Sequence, residues 1–574
     1  MVRGEGTPPD SFRQTSCCTP FEPRFDTNRN QLSELLNIVY LTTEAVPFAK
    51  TGGLADVCGT LPSVVAAAGH RCAVIMPAFD SIYRTEIPIE PTDVSFAIQM
   101  SKDKLVGGRL LRSRLPCGTV PVFFVDQPQY FGRANLYGDA SGDYPDNAER
   151  FIFFCRAAIE IMKRFNAPID VIQCNDWQTA IVPALLHAGS DDDGLMPHDS
   201  DDSSRQIIDF APEAASFTSS VESSNDAPGN ADQSRAPRLS GNTPTVLSIH
   251  NLAYQGGFPA DQFPWTGLSW SRFRSESFEF YGSLNFLKTG VVTADQVCTV
   301  SPTYAQEIKT PLHGCGLDPI LRSLGDRVTG IINGIDTAVW NPETDRHLIR
   351  NYDADTWAKG KVENKLALQA EVGLPQDPDV PLIGLVGRLA DQKGWDLILP
   401  VLRQHLVQHR PTQWAVLGSG NPSIENELRW LSDQYDHQLA AYIGFSDALA
   451  HRIEAASDVF LMPSRYEPCG LNQLYSLRYG TVCVVTATGG LADTIVDANP
   501  DTIVDGTATG FKMRSYDAPS LDRAIGEALR IRYHEPEIWK KIVATGMKSD
   551  WSWRKSANQY VELYARTISL KRRQ

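Results

Sequence analysis

Long apolar runs and an excess of basic residues are both absent from this sequence. No uninterrupted apolar stretch approaches the roughly 18 residues of a membrane-spanning helix, so we expect no membrane span. The 574 residues carry a formal net charge of −15. A nucleic-acid partner requires a basic surface to meet its phosphates, so the charge argues against general nucleic-acid binding.

Much of the negative charge is concentrated in one stretch. Residues 190–240 contain 11 acidic and three basic residues, a net charge of −8. Residues 189–240 also mix Asp, Ser, Pro and Gly with almost no aliphatic periodicity, so we expect a disordered acidic insertion there. The acidic triplet at 191–193 could instead bind a metal ion, an alternative that ranks below a solvated loop.

The 11 cysteines show no metal-ligand spacing, and several lie in apolar runs. Reduced thiols in a cytoplasmic protein fit this usage best. Residues 1–36 lack the apolar core of a signal peptide and contain acidic residues, which organelle transit peptides avoid. We expect a flexible N-terminal extension over 1–36, with a plastid location as the minority alternative.

The chain is longer than one hydrophobic core normally grows to, so two domains are expected. Short apolar strands alternate with helical runs from Asn37 onward, and a new series of strands begins at Pro381. Asn-Gly and Asn-Pro pairs punctuate the chain near Asp336. We predict an α/β protein with doubly wound domains over 37–335 and 336–545.

Six residues, Thr-Gly-Gly-Leu-Ala-Asp, occur twice, at 51–56 and at 488–493. A glycine turn that opens a helix directs backbone N–H groups toward an anion, and phosphate is the usual ligand. Lys50 adds a positive charge beside the first turn. A tight turn without a ligand is an equally good interpretation of either motif alone, but two turns of one sequence suggest two half-sites that face each other.

Three charged residues follow strand ends in the second half of the chain. Arg388 and Lys393 lie on a glycine-flanked loop and suit a diphosphate leaving group, although they could be ordinary surface cations. Glu467 lies on a proline-rich bend, where it could bind sugar hydroxyls or cap the following helix. Zinc-like clusters, a nucleophile elbow and a P-loop are all missing, so metal-dependent hydrolysis, serine-hydrolase chemistry and ATPase activity are unsupported.

Several motifs together resemble one enzyme family. They are Lys50-Thr-Gly-Gly-Leu54, His250-Asn-Leu-Ala-Tyr-Gln-Gly256, Asn333-Gly-Ile-Asp336, Trp340-Asn-Pro342, Gly387-Arg-Leu-Ala-Asp-Gln-Lys-Gly394 and Pro463 to Gly470. This set resembles the bacterial glycogen synthase and plant starch synthase family. The resemblance implies a GT-B fold, in which two Rossmann-like domains face each other across a cleft and a C-terminal helix, here 546–574, crosses back to the first domain.

The resemblance also implies an activity. Such enzymes transfer glucose from ADP-glucose to the non-reducing end of an α-1,4-glucan, with retention of configuration and without a metal or other cofactor. Two other readings remain open. One is a glucan-binding protein without catalysis, and the other is a related glycosyltransferase that uses UDP-glucose or another acceptor.

Residue roles follow from the same resemblance. Arg388 and Lys393 would stabilise the leaving diphosphate, and Glu467 would be the active-site carboxylate. The implied donor-binding residues are Lys50, Gly52, Gly53, Gly489, Gly490, Leu491 and Tyr475, and the implied sugar-side residues are Asp146, Gln178, His250 and Asn251. Gln178 departs from the pattern, because many members have His at this position, and we expect it to alter kinetics rather than abolish activity.

Overall fold

The computed structural model describes residues 35–139, 141–188, 206–210, 239 and 241–573. The strands are β1 (Asn37–Leu41), β2 (Arg71–Pro77), β3 (Glu90–Ser101), β4 (Lys104–Arg114), β5 (Pro121–Asp126), β6 (Gly138–Asp139), β7 (Gly142–Asp143), β8 (Val171–Asn175), β9 (Thr245–Ile249), β10 (Gly257–Pro259), β11 (Glu279–Phe280), β12 (Ser283–Asn285), β13 (Gln296–Thr299), β14 (Val328–Gly330), β15 (Leu382–Val386), β16 (Gln413–Gly418), β17 (Leu439–Ile443), β18 (Val459–Met462), β19 (Val482–Val485) and β20 (Gly510–Lys512).

The helices are α1 (Gly53–Ala67), α2 (Pro128–Phe131), α3 (Asn147–Met162), α4 (Asp176–Thr179), α5 (Val182–Ala188), α6 (Phe286–Thr293), α7 (Pro302–Glu307), α8 (Asp318–Ser323), α9 (Trp357–Val372), α10 (Trp395–Val407), α11 (Pro422–Gln434), α12 (Asp447–Ala456), α13 (Asn472–Tyr479), α14 (Gly489–Thr494), α15 (Pro500–Asp505), α16 (Ala518–His534), α17 (Pro536–Lys548) and α18 (Trp553–Lys571).

Two large sheets form the framework. The first has nine strands in the order β14-β13-β9-β8-β1-β2-β5-β4-β3, and the second has six in the order β17-β16-β15-β18-β19-β20. All six strands of the second sheet run parallel, while β3, β4 and β5 pair antiparallel at one edge of the first. The central strands are short and apolar because helices cover both of their faces. The predicted α/β architecture with two doubly wound sheets is confirmed.

The last helix, α18, packs into the core of the first sheet rather than the second. Trp553, Tyr560 and Tyr564 are buried among the residues of β1 and its neighbours. The Tyr564 hydroxyl donates to Gln173 Oε1 on β8 and lies 3.2 Å from the Tyr40 hydroxyl on β1. The chain therefore crosses between the two sheets a second time.

Part of the stretch expected to be a disordered insertion is ordered. Ile208 forms a bridge with Phe165, and the rings of Phe165 and Phe210 meet edge to face at 5.1 Å between centroids. Both Ile208 and Phe210 are buried. The expected disorder is therefore wrong for residues 206–210. Most of 189–240, and residues 1–34 of the expected N-terminal extension, lie outside the described residues.

The helices and cysteines bear on the expected location. Within the described ranges, no helix is long and apolar enough to cross a membrane. The nine cysteines in those ranges are free thiols, and seven of them are buried. The cytoplasmic location stays a prediction.

Replacing Tyr564 with Ala should destabilise the first domain. The change leaves a cavity in the core and removes the hydroxyl that satisfies Gln173, so we expect a loss of about 3 kcal/mol or more. Denaturant titration measures the free energy of unfolding. Gln559→Ala, at an exposed position of α18, is the matched control, and equal stability of the two variants would contradict the proposed docking role of the helix.

Candidate active site

A cavity of about 1010 Å³ lies between the two sheets, at the carboxyl ends of their strands. Residues from both halves of the chain line it. The predicted site residues that it brings together are Lys50, Gly52, Gly53, Gln178, His250, Asn251, Arg388, Lys393, Glu467 and Tyr475. Asp146, Gly489, Gly490 and Leu491 are not among the lining residues.

A lysine–glutamate pair joins two loops of the second domain in this cavity. Lys393 Nζ donates to Glu467 Oε2 at 2.5 Å, and Ser464 Oγ donates to the same oxygen at 3.1 Å. Glu467 is 5% exposed. Gly394 allows this approach, since it has φ +79° and an added Cβ would lie 2.0 Å from Pro463 O. The carboxylate is therefore held on the bend after β18 and faces the loop after β15.

Arg388 lies on the same loop as Lys393 and points toward the first domain. Its Nη2 donates to Gln392 Oε1 at 3.0 Å, and its Nη1 lies 3.4 Å from the Tyr254 hydroxyl. Lys50, across the cavity, pairs with Asp56 at 2.7 Å and keeps half of its side chain exposed. Three cations from two domains therefore border one space, where Lys50 and Lys393 are each paired with a carboxylate and Arg388 donates to neutral groups.

The first Thr-Gly-Gly turn is already occupied by a carboxylate. Glu44 accepts hydrogen bonds from Thr51 N at 2.5 Å, Thr51 Oγ1 at 2.6 Å, Gly52 N at 3.2 Å and the Tyr137 hydroxyl at 2.7 Å. Burial raises the pKa of Glu44, and these four donors oppose that shift. Glu44 is therefore the anion to which the amides of Thr51 and Gly52 donate in this structure. The predicted contact of Gly52 and Gly53 with the donor stays a prediction.

The second turn repeats the arrangement with a glutamate from the other domain. Glu307 accepts from Thr488 Oγ1 at 2.9 Å and from Gly489 N at 3.0 Å. Gly490 N donates to Glu467 O at 3.1 Å, and Leu491 N donates to Thr488 O at 3.0 Å. Each of these three amides donates to a protein acceptor in this structure, and their predicted contact with the sugar donor stays a prediction.

The sugar-side residues meet where β8 and β9 end. Asp176 has φ +56° and accepts from His250 N at 2.7 Å, which ties the two strand ends together. Burial raises the pKa of Asp176 to about 7 and lowers that of His250 to about 4. The neutral imidazole places Nε2 3.2 Å from Asn175 Oδ1, so Nε2 donates and Nδ1 is left as an acceptor.

Gln178, which departs from the family pattern, has an unpaired acceptor atom. The residue is buried and lines the cavity, yet its Oε1 has no hydrogen-bond partner. An unpaired buried acceptor is costly. A glutamine amide supplies both a donor and an acceptor, whatever the pH.

Asp146 lies outside the cavity wall. Arg133 holds both of its carboxylate oxygens, at 2.8 and 2.5 Å. Burial acts to raise the pKa of Asp146, but the bonds to Arg133 outweigh it, so the pKa lies below the usual range. The neighbours Asp143 and Asn147 line the cavity, whereas Asp146 does not, and the sugar-side role of Asp146 stays a prediction.

Aromatic rings border the second-domain side of the cavity, and one of them, Phe445, was not singled out from the sequence. Trp340 lies between Tyr475 and His451, with ring centroids at 3.7 and 3.8 Å and both interplanar angles at 8°. Phe445 also lines the cavity and is 82% exposed. An exposed aromatic face beside a cationic cavity offers a stacking surface for a planar ring. The signal in the sequence was a lone Phe after Gly444, which is too weak to interpret.

Comparison with known proteins identifies the family. Residues 37–198 and 230–323 match the model of the starch synthase catalytic domain, and residues 380–530 match that of glycosyl transferases group 1. The chain is 64% identical over 546 residues to a glycogen synthase of Rhodopirellula baltica, covering 94% of this chain and 99% of that protein. This chain belongs to the glycogen and starch synthase family. The resemblance found in the motifs is confirmed.

Further relatives agree with this family. Glycogen synthase 2 of Geobacter sulfurreducens is 40% identical over 537 residues, covering 94% of this chain and 100% of that protein. The catalytic domain of Starch Synthase IV from Arabidopsis thaliana, solved bound to ADP and acarbose, superposes with a TM-score of 0.78 at 30% identity, covering 93% of this chain and 100% of that chain. The fold is GT-B, as predicted. The first family model skips residues 199–229, which fall within the acidic stretch.

In the part of the chain that the structure describes, no group of three or more His, Cys, Asp or Glu side chains is arranged to hold a metal ion. The prediction that no metal or other cofactor is needed remains untested.

Asp176→Asn should change how the stability of this family member depends on pH. The pKa of Asp176 rises from 3.8 to about 7 in the folded protein. Between these two pH values the folded state keeps a proton on Asp176 that the unfolded chain has released, so stability falls as the pH rises. The contribution of Asp176 to the free energy of unfolding is fully present below about pH 4 and is lost as the pH rises through 7. Asn mimics the protonated form, so the variant should lack this decrease.

Denaturant titrations between about pH 4 and 8 measure the effect. Asp93→Asn, at an exposed position of β3, is the control and should keep the wild-type profile. Parallel profiles for wild type and Asp176→Asn would show that the carboxyl does not titrate in this range.

Proposed function

We propose that this protein transfers glucose from ADP-glucose to the non-reducing end of an α-1,4-glucan, with retention of configuration and release of ADP. The observation that carries the proposal is the Lys393–Glu467 pair in the interdomain cavity, beside Arg388. A carboxylate beside two cations suits a sugar that is bonded to a diphosphate. The relatives are named glycogen synthases, which supports a glucan acceptor.

The cations serve the leaving group. When the bond from the sugar to the diphosphate breaks, negative charge grows on the departing oxygen, and fixed positive groups stabilise that charge more than they stabilise the bound substrate. Arg388 offers a planar fork to phosphate oxygens, and Lys393 offers a compact charge. We also propose that the reaction needs no metal ion, because these side chains supply positive charge at that position.

Glu467 serves the sugar. Positive charge develops at the reacting carbon of a glycosyl group as its bond breaks. A carboxylate fixed by Lys393 and Ser464 at the edge of the cavity can bind a sugar hydroxyl and stabilise that charge. His250 Nδ1, Asn251 and Gln178, on the opposite wall, supply hydrogen-bonding groups for other hydroxyls.

Adenine is the base that we propose for the donor. Phe445 presents an exposed ring at the second-domain wall, and a purine covers more of such a ring than a pyrimidine does. The starch synthase IV relative was solved bound to ADP, which supports the same choice.

The direct test is incubation with glycogen and either ADP-glucose or UDP-glucose, followed by measurement of nucleoside diphosphate release. We expect faster turnover with ADP-glucose, and the same rate after addition of EDTA. Equal rates with the two donors would contradict the base preference, and a rate lost with EDTA would contradict metal independence. A folded protein that binds glycogen but releases no diphosphate from either donor would contradict the enzyme assignment and favour a glucan-binding protein.

Glu467→Gln should leave the fold intact and lower kcat by about 10² to 10³-fold or more, since it removes the charge that stabilises the transition state. Steady-state kinetics with ADP-glucose measure kcat, and thermal unfolding checks the fold. Glu537→Gln, an exposed change on α17, is the control. Near-normal turnover of Glu467→Gln would remove Glu467 from the mechanism.

Phe445→Ala should raise the KM for ADP-glucose by about tenfold and leave kcat nearly unchanged, because loss of base stacking costs about 1–3 kcal/mol in binding. Phe445→Tyr keeps the ring and should keep the KM. An unchanged KM in the Ala variant would show that the base binds elsewhere.

A further inference from the structure

The second Thr-Gly-Gly turn connects the two domains through reciprocal hydrogen bonds. Glu307, at the end of α7 in the first domain, accepts from Thr488 Oγ1 at 2.9 Å and Gly489 N at 3.0 Å. Asp493, in α14 of the second domain, accepts from Thr303 N at 2.9 Å and Thr303 Oγ1 at 2.7 Å. Each carboxylate binds the first turn of the helix that carries the other.

This connection lies directly against the segment that carries Glu467. Gly490 N donates to Glu467 O at 3.1 Å, and Ser301 Oγ, from the first domain, donates to Pro468 O at 2.6 Å. A Cβ on Gly489 would lie 2.0 Å from Glu467 O, so the turn and the bend are packed without space between them. A shift of the turn would therefore move the backbone of Glu467.

The two Thr-Gly-Gly turns serve as an internal comparison. The first takes its glutamate, Glu44, from its own domain, so that contact cannot fix one domain against the other. The second takes Glu307 from across the domain boundary. The same turn sequence therefore makes a contact within the first domain at 51–53 and a contact between the two domains at 488–490.

We propose that Glu307 and Asp493 are positioning residues that hold Glu467 in register with the sugar-side residues of the first domain during turnover. The proposal rests on the proposed glucosyltransferase function. A transfer that uses groups from two domains requires both on the same sugar at once, and a displacement of about 1 Å can cost on the order of 100-fold in rate. ADP-glucose binding depends less on this register, because the donor contacts proposed for Arg388, Lys393 and Phe445 all belong to the second domain.

Kinetics of Glu307 variants test the proposal. We expect Glu307→Ala to lower kcat about tenfold or more, with the KM for ADP-glucose changed by less than about threefold. Glu307→Gln keeps an acceptor oxygen for Gly489 N and should recover most of kcat. Glu86→Ala, which removes an exposed glutamate from the first domain, is the control and should behave like the wild type.

A double-mutant cycle tests whether Glu307 and Asp493 act together or independently. Asp493→Ala should also lower kcat, and the double variant with Glu307→Ala should lose less than the product of the two single losses, because either change alone opens the same contact. Amide hydrogen exchange supplies a readout besides activity. Exchange at Gly489 and Thr303 should accelerate about tenfold in these variants, while Thr51 and Gly52, held by Glu44, should not change.

The outcomes separate the two proposals. A kcat within twofold of the wild type in folded Glu307→Ala and Asp493→Ala overturns the positioning role, whatever the exchange rates. Should one of these variants not fold, the other decides. A wild-type protein without turnover contradicts the proposed glucosyltransferase instead, and unchanged exchange at Gly489 in Glu307→Ala then overturns the interdomain contact as well.

Discussion

The active-site architecture depends on two glutamates, the buried Glu44 and the partly buried Glu307, that accept the backbone N–H groups of glycine turns. The first N–H groups of a helix have no partner within the helix, and leaving them without any acceptor is costly. Burying a carboxylate is costly too, unless several donors satisfy it. Glu44, with four donors, meets both requirements at once. Three of these hydrogen bonds tie the turn to Glu44, and Lys50 beside it pairs with Asp56 while half of its side chain stays exposed.

The charges of the cavity follow from this arrangement. With the amides of Thr51, Gly52 and Gly489 paired in this structure, side-chain cations are the groups that we propose for the diphosphate of a donor. Lys393 is neutralised by Glu467 in the absence of a ligand, so neither charge is left unpaired in a partly buried site. In the proposed reaction a bound diphosphate would give Lys393 a second anionic partner, and the Glu467 carboxylate would then face the sugar. The resting pair is thus arranged for the charge separation that the reaction creates.

The sequence was informative wherever the signal was local. The apolar strands lie where their composition predicted, and Arg388, Lys393 and Glu467 meet because the carboxyl ends of parallel strands share one edge of a sheet. The occupants of the glycine turns were not predictable in this way. Glu307 lies 181 residues before Thr488, and nothing in the repeated hexapeptide indicates that its amides are already taken. The pairing of Asp146 with Arg133 was not predictable for a similar reason, since no local pattern links the two residues.

The chain connects the two domains at two distinct places. Ile335 N donates to Trp551 O at 2.8 Å, so the segment that leaves the first domain and the segment that returns to it are joined to each other. Gly334 permits the crossing, since an added Cβ would lie 2.5 Å from Trp553 Cα. These paired segments act as one connection, about which the domains could still rotate. The reciprocal bonds of Glu307 and Asp493 form a second connection beside Glu467, and two connections at different places oppose a rotation that one alone permits.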